Sequence, residues 1–289
     1  MTLLPGRRPP LYLPSLDTWA IPRPIGQTGH WDAMGPYPVT PLEPTSDLDE
    51  VREILNAAGL VSWVGVTDVL QPNLPRLDDI FDYTRSFKTH HLVDRSLNEP
   101  RYTKHHRYEV RRAQRTCETR VISLHAHLTA WKALYADLIS RHAIGERQQF
   151  SDAYMEMLAD SPDVTPIGAF VDEELVSAHL WVTGEDGVHS HLAASNPAGY
   201  RCGASYAVYD HAISHFTNHT LIDLGGVASA EDATSSGLAR FKKGFANAER
   251  TNFIVGLVGQ PAVYHELCEE RSDSPTDPAY FPAYRSPFP

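Results

Sequence analysis

The run Ile167-Gly168-Ala169-Phe170-Val171, then Asp172-Glu173-Glu174, then Leu175-Val176-Ser177-Ala178-His179-Leu180-Trp181 decides how this chain is read. Two apolar segments of strand length are joined by an acidic three-residue turn, which is the signal of a β-hairpin. A second turn, Glu185-Asp186-Gly187, leads into a third apolar segment over residues 188–194. Three strands in succession, with turns this short, form an antiparallel meander. Downstream, Gly203 opens an apolar helix to about Asn218, and Leu221-Ile222-Asp223-Leu224 is a strand ending in Gly225-Gly226. A helix from Ser236 carries Phe241, and residues 253–258 close as a strand. Meander, helix, strand, helix, strand predicts an α+β fold with a mixed, mainly antiparallel sheet flanked by helices.

Upstream of the meander, Thr45-Ser46-Asp47 offers caps for a helix carrying Val51, Ile54, Leu55 and Ala58, with Gly59 as its stop. Residues 60–66 and 87–93 read as strands, a helix spans about 103–115, and a strand lies near 119–122. Helices follow over about 127–142 and 151–158. Ten of the 22 prolines fall in the first 45 residues, which are expected to be an irregular arm without long helices or central strands. Trp19, Trp31, Tyr12 and Tyr37 imply that this arm packs on the body. From about Arg271 the chain again reads as a tail.

Composition narrows the class. At 289 residues, with 42% hydrophobic and 21% charged side chains, the chain is long enough to bury a real core. No apolar run approaches the roughly 20 residues of a membrane span, and no secretory leader is visible, so a cytoplasmic protein is expected. Cys117, Cys202 and Cys268 are too few and too scattered for a disulfide framework. A net charge of −11 repels nucleic acid on average, so any nucleic-acid binding must rest on local positive charge. The segment 101–120 supplies it, with seven Lys/Arg against two acids, a local charge of +5.

Three segments carry a resemblance. The hairpin 168–178 resembles the one that opens GNAT sheets. Asp223-Leu224-Gly225-Gly226, followed by Gly237-Leu238-Ala239-Arg240-Phe241-Lys242-Lys243-Gly244-Phe245, is similar to the Asp-Leu-Gly-Gly … Phe-Lys-x-x-Phe signature of Fem-type (FemABX-like) transferases of the GNAT superfamily. Tyr102–Ala113 resembles the basic helix, ending in Arg-Arg-Ala, that precedes their C-terminal half. The resemblance covers about residues 85–260. It implies a Pro-rich arm (1–45), a truncated N-terminal GNAT-like half (46–116), a C-terminal GNAT domain (117–270) and a tail (271–289). It also implies an aminoacyltransferase that moves an amino acid from aminoacyl-tRNA onto an amine, forming a peptide bond. Founding members of the family act on muropeptides, but this chain lacks their helical arm. Small stand-alone relatives act in antibiotic pathways, one of them the alanyl-tRNA-dependent transferase of pacidamycin assembly. Alanine and a peptidyl-antibiotic pathway are therefore the first expectation.

The aminoacyl ester is already activated, so such an enzyme needs orientation, a neutral amine and oxyanion stabilisation. Lys242 is the first candidate, with Phe241 beside it; the alternative is that Phe241 and Phe245 form a core stripe from which the lysines merely snorkel. Asp232, Asp223 and His191 are candidate proton acceptors, although the substrate itself could supply the base. Lys104, Arg107, Arg111, Arg112 and Lys243 are expected to bind tRNA, with His105, His106 and Tyr108 free to stack on bases; the competing reading is a solvated helix face. Lys88, His90 and Arg201 are candidates for a small-molecule or carrier-protein-bound amine acceptor. No cofactor beyond the co-substrate is expected, nor are a metal, DNA or a membrane, and the protein is expected to be a monomer. The pairs His211/His215, His125/His127 and His189/His191 lack a companion metal motif, and Ser195 sits outside a nucleophile elbow. Two alternatives remain open. One is an acyl-CoA-dependent N-acyltransferase using the turn Tyr200-Arg201-Cys202-Gly203-Ala204-Ser205 as a phosphate cradle. The other is a non-catalytic module that binds RNA or a carrier protein.

Overall fold

The polar turns at 172–174 and 184–187 fold the meander as their spacing dictates. In a computed structural model, which describes residues 8–43, 48–71, 74, 76–98, 102–146, 149–226, 237–270 and 280–286, the meander strands are β7 (Val164–Val171), β8 (Glu174–Thr183) and β9 (Val188–Ser195), each antiparallel to the next. By compactness the chain divides into two units, one of Met1–Lys88 with Thr251–Pro289 and one of Thr89–Arg250.

In the second unit the meander is extended on one side by β6 (Glu118–Val121), antiparallel to β7. On the other side lies β10 (Leu221–Gly226), which runs parallel to β9 and antiparallel to β5 (Tyr83–Asp94). Helix α2 (Lys104–Ala113) packs on α6 (Ala204–His215), so it belongs to this unit. These two helices cover a core that includes Trp181, Val208, Ile222 and Phe245. Residues facing the other way from the same strands, among them Phe170 and Leu180, pack with Trp131 of α3 (Leu128–His142) and Met155 of α4 (Asp152–Asp160). Each fully buried side chain of this kind contributes about 1.5–3 kcal/mol. Thr103 and Ser151 cap α2 and α4 through their side chains.

The first unit corrects the reading of the Pro-rich arm. Its strands β1 (Leu11–Leu13), β2 (Thr18–Pro24) and β3 (Trp31–Met34) join β4 (Leu60–Val66), and β11 (Ala248–Val258) pairs with β4. Pro22 and Pro24 are tolerated in β2 because β1 covers only Thr18–Ala20, leaving both prolines on an uncovered stretch of edge. The expected helix at Val51 is α1 (Asp49–Ala57), although its proposed caps at 45–47 lie outside the described residues. Two further helices carry no signal in the sequence pattern: α5 (Pro197–Cys202), and α8 (Pro261–Glu269), which follows β11. Helix α7 (Gly237–Lys243) bears the Phe-Lys motif in the second unit. All three cysteines are free thiols. No helix among the described residues is long and apolar enough to cross a membrane.

Candidate active site

Strands β9 and β10 pair only at Val188/Ile222 and His189/Asp223. Beyond those pairs, residues of β9 from Ser190 to Ser195 line a cavity of about 500 Å³ instead of bonding to β10. Its other walls come from α3 (Leu138, His142), the α5–α6 corner (Tyr200, Gly203, Ser205), Tyr206 and Tyr209 of α6, and Leu238, Phe241 and Lys242 of α7. His179 of β8 forms part of the lining.

Lys242 lies at this cavity with only 8% of its surface exposed, and its Nζ donates to the carbonyl of Gly226 at 2.9 Å. Gly225 adopts φ +89°, and a Cβ there would sit 2.7 Å from that Nζ, so the second half of the Asp-Leu-Gly-Gly motif is shaped around the lysine. Asp223 fixes the same strand end. It is buried and accepts from Nδ1 of His90 (2.9 Å), Nδ1 of His189 (3.1 Å) and the backbone N–H of Gly225 (2.7 Å). Burial opposes its charge, but the hydrogen bonds from His189 and His90 prevail and hold the carboxyl far below the usual carboxylate range. With three donors on it, Asp223 positions the strand end and does not act as a proton acceptor. His90 is thereby corrected as well: it is buried against Asp223 and does not serve as an acceptor contact.

Phe241 packs against Tyr206 (4.8 Å between centroids) and Tyr209 (4.9 Å), and its carbonyl accepts from Nε2 of His106 at 2.8 Å. His106 itself is buried, with Nδ1 bonded to Thr103 Oγ1 at 2.8 Å, which corrects its reading as a base-stacking residue. The contact also explains the glycine inside Phe-Lys-Lys-Gly-Phe, because a Cβ on Gly244 would lie 1.9 Å from the His106 ring. The basic helix is thus locked beneath the Phe-Lys motif, and its His105 reaches the hydroxyl of Tyr206 in the cavity wall at 3.4 Å.

His191 lines the cavity with Nε2 on the Tyr154 hydroxyl at 2.7 Å; burial, and then the charge of His189, push it down to about 4, so it is neutral at physiological pH. Burial, and then the Lys242 charge, push His179 down to about 3. Burial raises the Tyr209 phenol to about 12. His179, Tyr206 and Tyr209 escaped the sequence reading. Asp232 lies outside the described residues. Among the described residues no group of three or more His, Cys, Asp or Glu could hold a metal ion.

The opposite face of α2 carries Lys104, Arg107, Arg111 and Arg112, with Arg115 in the turn just after it, all exposed, around the exposed ring of Tyr108. Arg107 donates to the Tyr102 carbonyl, and Arg112 pairs with Glu109 at 3.1 Å and reaches the carbonyl of Arg201. Lys243 is exposed and paired with Glu249 at 3.2 Å. Arg201 is exposed at the end of α5. Lys88 belongs to the first unit, where its ammonium lies 4.7 Å from the Phe87 ring and burial lowers its pKa.

The expected phosphate cradle takes a different form from a bare turn. Tyr200–Cys202 is the last turn of α5, and Gly203, at φ +70°, ends that helix and starts α6. Its N–H is spent on the Tyr200 carbonyl at 3.2 Å.

Residues 104–243 match the family model described as an acetyltransferase (GNAT) domain. No curated protein sequence matches the chain. Among solved structures, FemX is similar with a TM-score of 0.62 at 11% identity, covering 86% of each chain. The C-terminal domain of a lysylphosphatidylglycerol synthetase candidate from Agrobacterium fabrum is similar with a TM-score of 0.60 at 13% identity, over 92% of this chain and 89% of that one. The structure of L-PGS from Bacillus licheniformis reaches 0.51 at 14% identity, over 87% of this chain and 88% of that one. At these identities the likeness is one of fold, and the fold is that of the GNAT-type acyltransferases.

Proposed function

We propose that this GNAT-type acyltransferase moves an aminoacyl group from aminoacyl-tRNA onto an amine, forming a peptide bond. The observation that carries the reading is the pairing, within one unit, of a cavity holding the buried Lys242 with an exposed cationic face on α2 that touches the cavity wall through His105 and Tyr206. A chain of net charge −11 that concentrates four exposed Lys and Arg on one helix face, and a fifth in the turn after it, has a place for a phosphate backbone. In the step, the ester carbonyl enters the splay between β9 and β10, the neutral amine attacks its carbon, and Lys242 faces the oxyanion. Phe241, Tyr206 and Tyr209 exclude water from the acyl group. The acceptor is a small-molecule or carrier-bound amine, for which Arg201 is the proposed contact in this unit. Alanine is the first amino acid to try, in a cytoplasmic, natural-product context.

A second reading has its own support. Gly203 and Ser205 line the cavity at the N-terminus of the 12-residue helix α6, where backbone amides and the helix dipole favour an anion such as the pyrophosphate of CoA. Against it, the Gly203 N–H is already used by α5. The deciding experiment is retention of a pool of charged tRNA by the purified protein at two salt concentrations, with acetyl-CoA as competitor. Salt-sensitive retention that ignores acetyl-CoA supports the tRNA donor, and sequencing the retained RNA identifies the amino acid. No retention, with thermal stabilisation by an acyl-CoA, replaces it with the CoA reading.

A further inference from the structure

His179 is an imidazole at the cavity for which the protein supplies no hydrogen-bond partner among the described residues. It lies on β8 opposite Ile167 and Ala193, is 2% exposed, and has the Tyr209 ring edge-on at 5.2 Å. Its Nδ1 is sealed without a partner, and among the described residues no protein group bonds Nε2. Nε2 is therefore the ring atom left for a partner that arrives with the ligand, since leaving a polar group at such a site unpaired costs about 1–3 kcal/mol.

The charges around it indicate what that partner is. Burial, and then the charge of nearby Lys242, keep the ring uncharged at physiological pH. The cavity lining holds one lysine and no carboxylate among the described residues. The Lys242 ammonium at the lining favours negative charge that develops on the ligand.

We propose that His179 is a second oxyanion donor, presenting Nε2–H to the acyl carbonyl oxygen beside Lys242. The inference rests on the acyl-transfer reading but not on which carrier brings the acyl group. As the neutral amine attacks, the N–C bond forms and the carbonyl π pair moves to oxygen, which carries the negative charge between Lys242 and His179. Collapse of the intermediate restores the carbonyl and breaks the bond to the carrier's oxygen or sulfur. The proton shed by the amine ends on that departing atom. His179 keeps its own proton throughout, and as a neutral imidazole it donates a hydrogen bond without bringing a second cation beside Lys242. The Nε2–H tautomer leaves a lone pair, and not an N–H, sealed at Nδ1.

The test places one acyl group on two carriers, an RNA minihelix ester and a CoA thioester, and measures single-turnover rate and donor affinity separately on the full chain. On the carrier that turns over, His179→Leu should lower the rate constant about 100-fold, the loss typical of one oxyanion donor, with donor affinity unchanged. His179→Gln, which keeps an N–H, should recover part of that rate. A phosphonate mimic of the tetrahedral centre should lose affinity for His179→Leu by a similar factor, while the planar amide analogue should not. If the leucine variant does not fold, His179→Asn carries the same comparison, since its shorter amide cannot reach the same oxygen. Unchanged rate, or equal loss of both analogues, overturns the assignment. Turnover on CoA alone sinks the tRNA reading and leaves His179 to be judged on the thioester; turnover on neither carrier removes both.

Discussion

Within the second unit, positive charge is placed in two opposite ways. In the cavity a single lysine, 8% exposed, sits among aromatic rings and the neutral imidazoles of His179 and His191, with no carboxylate in the lining among the described residues. Along α2 four Lys and Arg stand in solvent, with Arg115 just beyond its end, and one of them, Arg112, is already paired with Glu109. A charge held in low dielectric acts on its few neighbours, adding to burial in the depression of His179, and salt scarcely screens it. Exposed charges act only as a group, at longer range, and are weakened by salt. The first arrangement suits a charge that appears for an instant on one atom, and the second suits a polyanion. The difference between them predicts which variants change chemistry and which change capture.

The largest effect is expected at Lys242. Replacement by Ala should lower transfer from bound donor by about 10²–10³, the loss seen when an oxyanion donor is removed, while donor affinity changes little. Single-turnover rates beside donor titrations check this, and equal losses in both would make the lysine a donor-binding residue instead.

Next comes the pH dependence of stability. His179 and His191 are held near 3 and 4 in the fold against an ordinary 6.5, so the folded state binds fewer protons there than the unfolded chain. Their contribution is therefore full above about pH 6.5 and lost as pH falls toward 4 and then 3. Asp223, held below its ordinary 3.8, adds a loss of the same sign at lower pH still. The melting temperature should fall across that window, and His179→Leu should flatten the upper part of it. A variant with the same acid profile as the parent would show that the imidazole is not held neutral.

These distinctions were legible in the sequence only where a local rule fixes them. The meander was, because strand-length apolar runs between acidic turns leave few alternatives. The Phe-Lys motif was singled out by likeness alone, and Phe241 and Lys242 line the cavity. The stripe His106, Val110, Ala113, at helical spacing, already marked His106 as inward-facing, yet the surrounding cations drew it into a surface reading. No such signal existed for His179: β8 is buried on both faces from Leu175 to Trp181, so alternation cannot say which residue meets a cavity. The splay of β9 from β10 is a tertiary event that follows two parallel pairs, and no local pattern encodes it. Strands β1 to β3 were hidden by prolines whose missing donors fall where β1 no longer covers β2.

On α2, replacing Arg111 and Arg112 with Glu should weaken donor capture without altering transfer from donor already bound. The salt slope should also fall by about one for each phosphate the helix no longer engages. Unchanged affinity and slope would return the helix to a solvated face.

The smallest effect is expected one residue from the largest. Lys243 is exposed and paired with Glu249, an arrangement worth about 0–1 kcal/mol and screened by salt. Lys243→Ala should leave single-turnover transfer at the parental rate and shift donor binding only slightly. Neighbours on one helix end would then differ by orders of magnitude for a reason of placement alone: one ammonium is held beneath Gly225 and Gly226 at the cavity, the other is in water. A loss of rate in Lys243→Ala comparable to that in Lys242→Ala would break the contrast, and would mean that the helix end acts through its summed charge and not through a single buried ammonium.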